Sequence, residues 1–355
     1  MATRPDIDVI EDAVTVQGNV APGMASRVAV IGAFDSTTTD VTVCTSKETA
    51  HSVFGTTSTL GNFKGTDAID YLFMGASELI VVNITTWSDD STPVASTSIT
   101  TEKLTAALAK LHNEVFDMLF VADELADASQ TIVSTWLASE FGNKFCHGQV
   151  AQLSKGTTSA YTTSVATFNK HVYYINTQQL TVNGTTLNLN QSTAFMCGLI
   201  AAREVNRSLT AKVLPDVSAV SPEYTFESGD VGAKLLELNV PFAEVRNRRL
   251  QEVICVNSLL PDSLDMSVNR TRDYVINKIQ AELLLGEQNS DLTEDTAQLL
   301  VEKVRNECVD TLHLLKDIVY HIERISATEI DIVLDKLVFD GIITKVKIHY
   351  AIEVQ

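Results

Sequence analysis

The stretch GIITKVKIHYAIEVQ, residues 341–355, alternates in side-chain character with a period of two up to its last residue. One set of alternate positions is mainly apolar and includes Val346, Ile348, Tyr350, Ile352 and Val354. Because successive side chains of a β-strand face opposite sides of a sheet, the pattern predicts a strand about 45 Å long. Such a strand needs backbone partners along its length, either in its own sheet or in the sheet of another molecule.

Length and composition limit what kind of protein this is. A chain of 355 residues predicts two or three domains, and 45% hydrophobic with 20% charged residues is typical of a globular protein. The net charge of −19 argues against nucleic acid or an anionic membrane as the main partner. Apolar runs such as residues 79–82 are shorter than the ~20 residues of a membrane helix, and acidic residues near the start predict no export signal.

The five cysteines are scattered along the chain and form no Cys-x-x-Cys pair. They are Cys44, Cys146, Cys197, Cys255 and Cys308. Their odd number and mostly apolar surroundings predict buried free thiols in a reducing compartment.

Residues 1–20 form an acidic arm with apolar side chains at intervals. The candidate contacts of this arm are Ile7, Val9, Val14 and Val16. The arm is predicted to be extended, and it cannot bury its apolar side alone. It is either the first strand of the chain's own sheet or a segment that leaves the subunit.

Two regions follow the arm. In residues 21–238, buried strands such as 27–34, 78–84 and 118–122 alternate with amphipathic helices, which favours an α/β domain with a mostly parallel sheet. The stretch 214–226 is interpreted as an irregular connection. Residues 239–355 are predicted to be a separate α+β module: two strands, a helix at 269–285, a helix from Thr293 to about Tyr320, and strands at 329–333 and 342–355.

Motifs for phosphate binding and nucleophilic catalysis are missing from the sequence. The Gly- and Thr-rich stretch 55–66 lacks the phosphate-loop spacing, and there is no Gly-x-Ser-x-Gly. Asp123 and Glu124 follow a predicted strand at the sheet edge where α/β proteins bind ligands, although acids also commonly precede helices. These two residues carry the alternative hypothesis of an α/β enzyme or ligand-binding protein with an oligomerisation domain.

Two histidine-containing groups are weak candidates for sites. Cys146 and His147 are adjacent on a predicted strand and therefore face opposite sides. His313, Asp317 and His321 would form one stripe of the predicted helix, but its ends would be about 12 Å apart, too far for one metal ion. We therefore expect no catalytic residue, metal or cofactor.

The order of features resembles the tail sheath proteins of contractile phage tails and related contractile injection machines. The resemblance covers about half the chain and is carried by the arm and the stretches 26–34, 41–55, 68–84, 245–262, 269–285 and 341–355. The usual Gly-Val-Tyr-Val-Glu-Glu-like start of the family is missing.

The resemblance implies a non-enzymatic structural subunit of a virion or phage-tail-like particle, assembled in the host cytoplasm. Its partners would be itself in stacked, hexameric rings, the tail tube protein, and the baseplate and tail terminator proteins. The arm and the C-terminal strand would be exchanged between subunits, α/β residues 21–238 would face outward, and α+β residues 239–355 would face the tube. Contraction of the sheath would need no nucleotide.

Basic residues of the predicted helix from Thr293 are candidates for the tube contact. They are Lys303, Arg305 and Lys316, which lie off the predicted buried stripe. The alternative is that they form an ordinary solvated face.

Overall fold

A computed structural model describes the following residues of the chain: 26–56, 63–88, 95–123, 125, 127–140, 150–155, 172–176, 178–227, 229–246, 252–256, 258–259, 265–287, 293–326 and 329–339.

A six-stranded sheet forms the centre of the larger part of the molecule. Its strands are β1 (Arg27–Gly32), β2 (Thr42–Cys44), β3 (Glu78–Asn83), β6 (Met118–Val121), β7 (Val150–Lys155) and β8 (Val172–Asn176). Their spatial order is β2-β3-β1-β6-β7-β8. Every neighbouring pair is parallel except the pair of β2 with β3. The chain therefore winds outward in both directions from β1, which confirms the predicted α/β class.

The central strands are apolar on both faces because helices cover both sides of the sheet. Val28 and Val30 of β1 belong to a first core, and Ala29 and Ile31 belong to a second core on the opposite face. Buried parallel strands show this unbroken apolar pattern, which makes β1 recognisable in the sequence.

Five helices pack on the sheet. They are α1 (Lys47–Phe54), α2 (Lys64–Leu72), α3 (Thr101–Lys110), α4 (Asp127–Glu140) and α5 (Leu189–Ala202). Side chains of α1, α2 and α5 enter the first core, and those of α3 and α4 enter the second. Asn188 caps α5 in a reciprocal capping box with Gln191.

Short strands and one further helix complete this part, which we call the body. They are β4 (Thr86–Trp87), β5 (Ala95–Ser96), β9 (Gln179–Val182), β10 (Thr185–Thr186), β11 (Val217–Ser221), α6 (Val231–Glu237), β12 (Ala243–Arg246) and β13 (Glu252–Cys255). The predicted irregular connection 214–226 thus contains the strand β11, which pairs with β9. The hairpin of β12 and β13 packs within the body, since Ala243 and Val253 belong to the first core. The predicted domain boundaries stay predictions.

The C-terminal unit has its own core. Its elements are α7 (Met266–Glu287), α8 (Glu294–Asn306), a π-helical turn (Glu307–Thr311), β14 (Asp317–Ser326) and β15 (Glu329–Val338). A third core gathers Val275 and Ile279 of α7, Val301 and Val304 of α8, and Ile318 of β14.

The predicted helix from Thr293 to Tyr320 continues past Asn306 as the π-helical turn and is wrong beyond Thr311. Thr293 does cap α8, but the helix ends at Asn306 and the chain is a β-strand from Asp317. Ile318, Tyr320 and Ile322 occupy alternate positions, as in a β-strand. Hydrogen-bonded pairing with β15 therefore stabilises a strand here in place of the predicted helix. His313, Asp317 and His321 consequently share no helix face.

Within the described residues, no helix is both long and apolar enough to cross a membrane. Cys44, Cys197, Cys255 and Cys308 are buried free thiols, as predicted, and Cys146 and His147 lie outside the described residues.

Candidate functional site

The candidate assembly surface is the hairpin of β14 and β15, which we call the C-terminal hairpin. Its two ten-residue strands pair antiparallel from Asp317 opposite Val338 to Ser326 opposite Glu329. In the part of the chain that the structure describes, this sheet has two strands only. The outer edge of each strand therefore presents N–H and C=O groups that can pair with an added strand.

One face of the C-terminal hairpin is apolar and lies on the third core, which covers it incompletely. Ile318 is buried, whereas its apolar neighbours on this face are only partly buried. These are Tyr320, Ile332, Leu334, Leu337 and Phe339. A strand added at an edge would cover more of this face with its own apolar side.

The opposite face carries polar side chains and two exposed valines. Val319 and Val333 are 42% and 37% exposed. His321 Nδ1 lies 2.8 Å from Asp335 Oδ2 across the hairpin. The hydrogen bond with Asp335 raises the pKa of His321 above its usual value.

Polar contacts of Tyr320 and Arg305 join helix α8 to the C-terminal hairpin. The Tyr320 hydroxyl donates to Glu302 Oε1 at 2.9 Å, and burial together with this contact raises the pKa of Tyr320 to about 12. Arg305 Nη2 donates to Asp317 Oδ1 at 2.7 Å, and this hydrogen bond holds the pKa of Asp317 below its usual value. The hairpin is therefore held against α8 in one orientation.

The predicted tube-contact residues do not form one helix face. Lys303 and Arg305 lie on α8, but Lys316 lies after the π-helical turn, where its backbone N–H donates to Val338 O at 2.8 Å. Lys303 Nζ is 2.7 Å from Glu282 Oε2 of α7, so its charge is already paired within the subunit. The assumption that all three occupy one helix is wrong because α8 is shorter than predicted.

The strand predicted at residues 342–355 and the arm at residues 1–20 lie outside the described residues. This holds for Val346, Ile348, Tyr350, Ile352 and Val354 of the strand and for Ile7, Val9, Val14 and Val16 of the arm. Their role in contacts between subunits stays a prediction.

Asp123 lies where the alternative enzyme hypothesis places it, at the carboxyl end of β6, and its carboxylate contacts Lys64 Nζ. This is the crevice between β1 and β6 where α/β sheets of this winding bind ligands. Here the start of α2 fills it: Gly65 N donates to Ala33 O at 2.9 Å, and a Cβ on Gly65 would lie 2.5 Å from the Phe34 ring. Asp123 therefore links the carboxyl end of β6 to the start of α2.

Glu124, the second residue of that hypothesis, lies outside the described residues. Among the residues that the structure describes, no three His, Cys, Asp or Glu side chains are grouped to hold a metal ion.

Sequence reasoning misses half of the C-terminal hairpin. It assigns the residues of β14 to a helix, although Ile318, Tyr320 and Ile322 alternate with His321 and Glu323. That alternation is the available signal, since its partner 329–333 is itself predicted to be a strand.

A family of known proteins matches the central part of this chain. Residues 97–251, from the segment before α3 to the residue before β13, match the model of the phage tail sheath protein central domain. Over these residues the chain is similar to the tail sheath protein family. No curated protein sequence matches it.

Solved structures share the fold of this chain at low sequence identity. The sheath tail protein of Listeria innocua is 11% identical with a TM-score of 0.62, over 85% of this chain and 89% of that one. The sheath tail protein of Desulfitobacterium hafniense is 12% identical with a TM-score of 0.61, over 92% and 98%. A chain of the contracted helical sheath of the anti-feeding prophage is 16% identical with a TM-score of 0.61, over 100% and 99%.

Proposed function

We propose that this chain is a tail sheath subunit that polymerises as stacked hexameric rings around a tail tube and contracts to drive the tube through the envelope of a target cell. The observation that carries this proposal is the C-terminal hairpin, with its incompletely covered apolar face and its two edges. A strand entering an edge adds backbone hydrogen bonds worth about 1 kcal/mol each, besides its apolar contacts.

The strand predicted at residues 342–355 has the properties that such an edge requires. It alternates apolar and polar residues over its length, as does the C-terminal hairpin. A strand from a neighbouring subunit makes a heterologous contact, which propagates into rings and helices. The acidic arm at residues 1–20 is proposed to link subunits in the same way. Strand links would hold neighbours together while their bodies rotate during contraction.

The comparisons support a subunit of this kind in an assembled particle. Chains of similar fold occur in the anti-feeding prophage helical sheath in the contracted state and in its baseplate. We propose the tail tube, baseplate and tail terminator proteins as partners, assembly in the host cytoplasm, and no enzymatic activity. The contact of Asp123 with Lys64 at the start of α2 supports the last point, because a substrate bound there would have to displace Lys64.

Removing residues 342–355 is expected to abolish sheath assembly while leaving the subunit folded. The core residues that the structure describes all precede this segment, so we expect circular dichroism and the unfolding transition to be nearly unchanged. Negative-stain electron microscopy should show long hollow tubes for the full-length chain and none for the truncation. Small closed oligomers from both proteins would contradict the proposal and favour the alternative ligand-binding protein.

A matched pair of single substitutions tests whether assembly needs an inserted strand or merely the presence of a C-terminal tail. Ile348→Lys changes the apolar side of the predicted strand, and His349→Lys changes the other side. Assembly should fail for the first and persist for the second, because a charge buried against the hairpin is costly whereas a solvent-facing one is not. Equal behaviour of the two variants would reject an inserted strand with this orientation.

The tube contact stays a proposal centred on Lys303, Arg305 and Lys316. Reversing all three charges to glutamate is expected to reduce co-sedimentation of sheath with tubes several-fold, most strongly at low salt. Arg207→Glu, on the body, is the control and should not change co-sedimentation. Normal binding by the triple variant would remove these residues as the tube contact.

A further inference from the structure

Helix α7 is the element shared by the body and the C-terminal unit. Met266 at its start belongs to the first core, whereas Val275 and Ile279 belong to the third core. At 1.5 Å per residue the 22-residue helix is about 33 Å long. How its first turns are held therefore helps to set the position of the C-terminal unit on the body, besides Val205, which lies in the third core, and Asn206, whose Nδ2 donates to His313 O at 3.2 Å.

Asp265 fixes the start of α7 through a buried cluster of hydrogen bonds. Its Oδ1 accepts from the backbone N–H and hydroxyl of Ser267 at 2.9 and 2.7 Å. Its Oδ2 accepts from the hydroxyls of Ser208 at 2.7 Å and Ser258 at 2.6 Å, and the Thr210 hydroxyl lies 3.2 Å away. The start of α7 is thereby tied to the loop that follows α5.

Arg270, one turn further along α7, reaches into the body itself. Its side chain is almost fully buried. Nη1 donates to the carbonyl oxygens of Ile200 at 2.9 Å and Arg203 at 3.4 Å, and Nη2 is paired with the carboxylate of Asp117, the residue before β6. One planar guanidinium thus joins α7 to the end of α5 and to the central sheet.

We infer that Arg270 is the positioning residue that locks α7 onto the body, so that the C-terminal unit and the body move as one rigid piece. The lock itself does not depend on the proposed function. Its importance does rest on the proposed contraction, because a body that rotates would then carry the C-terminal hairpin with it. A purely apolar contact at this place could slide, whereas the two-sided geometry of the guanidinium admits one arrangement. Removing it takes a donor from the Asp117 carboxylate and the Arg203 carbonyl, whereas the Ile200 carbonyl keeps the N–H of Arg203 at 3.1 Å.

Three buried cysteines of the full-length chain report on this lock. Cys197 of α5 lies in the first core close to the pair of Asp117 and Arg270, and burial raises the pKa of its thiol above its usual range. Cys44 lies in the body at the strand β2, and Cys308 lies in the third core. A local opening at the lock exposes Cys197 alone, whereas global unfolding exposes all three.

The experiment is labelling of the full-length chain with N-ethylmaleimide, followed by proteolysis and mass spectrometry of each cysteine. In the Arg270→Met variant, the labelling rate of Cys197 is expected to rise about a hundredfold or more, with Cys44 and Cys308 protected as in the unmodified chain. Arg270→Lys keeps the charge but cannot reach both sides, so a smaller rise, about tenfold, is expected. Arg207→Met, at a 67% exposed arginine nearby, is the control and should change nothing.

Two results would overturn the inference. If Cys44, Cys197 and Cys308 gain reactivity together in both Arg270 variants, Arg270 supports folding as a whole and is not a lock. If none gains reactivity, Arg270 does not hold α7. Cysteine labelling is measured within each subunit, so it tests the role of Arg270 even if the chain forms no sheath. The truncation that removes residues 342–355 tests sheath assembly alone.

Discussion

The Gly198→Ala variant is expected to lose about 3 kcal/mol or more of its free energy of unfolding, because α2 and α5 cross at this glycine without room for a methyl group. A Cβ on Gly198 would lie 2.2 Å from Tyr71 O, which belongs to the backbone of α2. The contact is reciprocal, since a Cβ on Gly75 would lie 2.0 Å from Gly198 O. The two helices would have to separate, which would disturb the first core on both sides of the contact.

Urea denaturation followed by circular dichroism measures this loss, and Gly184→Ala is the control. Gly184 has a φ of 78°, and no atom lies within 4 Å of the position that a Cβ would take, so only its backbone conformation resists alanine. That cost is about 1 kcal/mol. If the two variants shift the urea midpoint equally, the close helix contact does not contribute what its geometry indicates.

Replacing Asp265 with alanine is expected to be the second severe change, with a loss of about 3–5 kcal/mol in the free energy of unfolding. The substitution removes the acceptor of the Ser208, Ser258 and Ser267 hydroxyls, all within 2.7 Å of the carboxylate. It also removes the side-chain cap of α7 at the backbone N–H of Ser267. Buried donors would then lack a partner, which costs more than the bonds themselves contribute.

Two further substitutions identify the cause. Asp265→Asn keeps one oxygen acceptor and nearly the same shape, so about half of the loss is expected. Asp40→Ala removes an exposed carboxylate of the body and should change the free energy of unfolding by less than about 0.5 kcal/mol. A wild-type urea midpoint for Asp265→Ala would mean that water replaces the carboxylate in the cluster.

Both severe changes occur at residues that sequence reasoning does not select. Gly198 lies in an apolar helix, and the sequence does not show that the backbone of α2 packs against it. Asp265 precedes a helix, as many acids do, and its hydroxyl partners are up to 57 residues away in the sequence. Contacts of this kind depend on how elements pack and are not encoded in local spacing.

Local sequence pattern was sufficient for the α/β character of the body and for the tail sheath resemblance. Buried parallel strands such as β1 and β3 are continuous apolar runs, and amphipathic helices such as α3 repeat every three to four residues, so local pattern and final structure agree. The predicted strand at residues 342–355 rests on the same kind of signal and awaits the truncation experiment.

Packing in three dimensions was needed to establish where α8 ends, what Asp123 contacts and how α7 is fixed. From Asp317 to Ile322 the apolar spacing also fits the predicted helix, and pairing with β15 selects the strand. In the sequence Asp123 has the position of a ligand-binding residue, but in the structure its carboxylate contacts Lys64 at the start of α2. Arg270 meets Asp117 across 153 positions of the chain. The physical reason is common to all three: periodicity reports which face of an element is buried, but not which partner buries it.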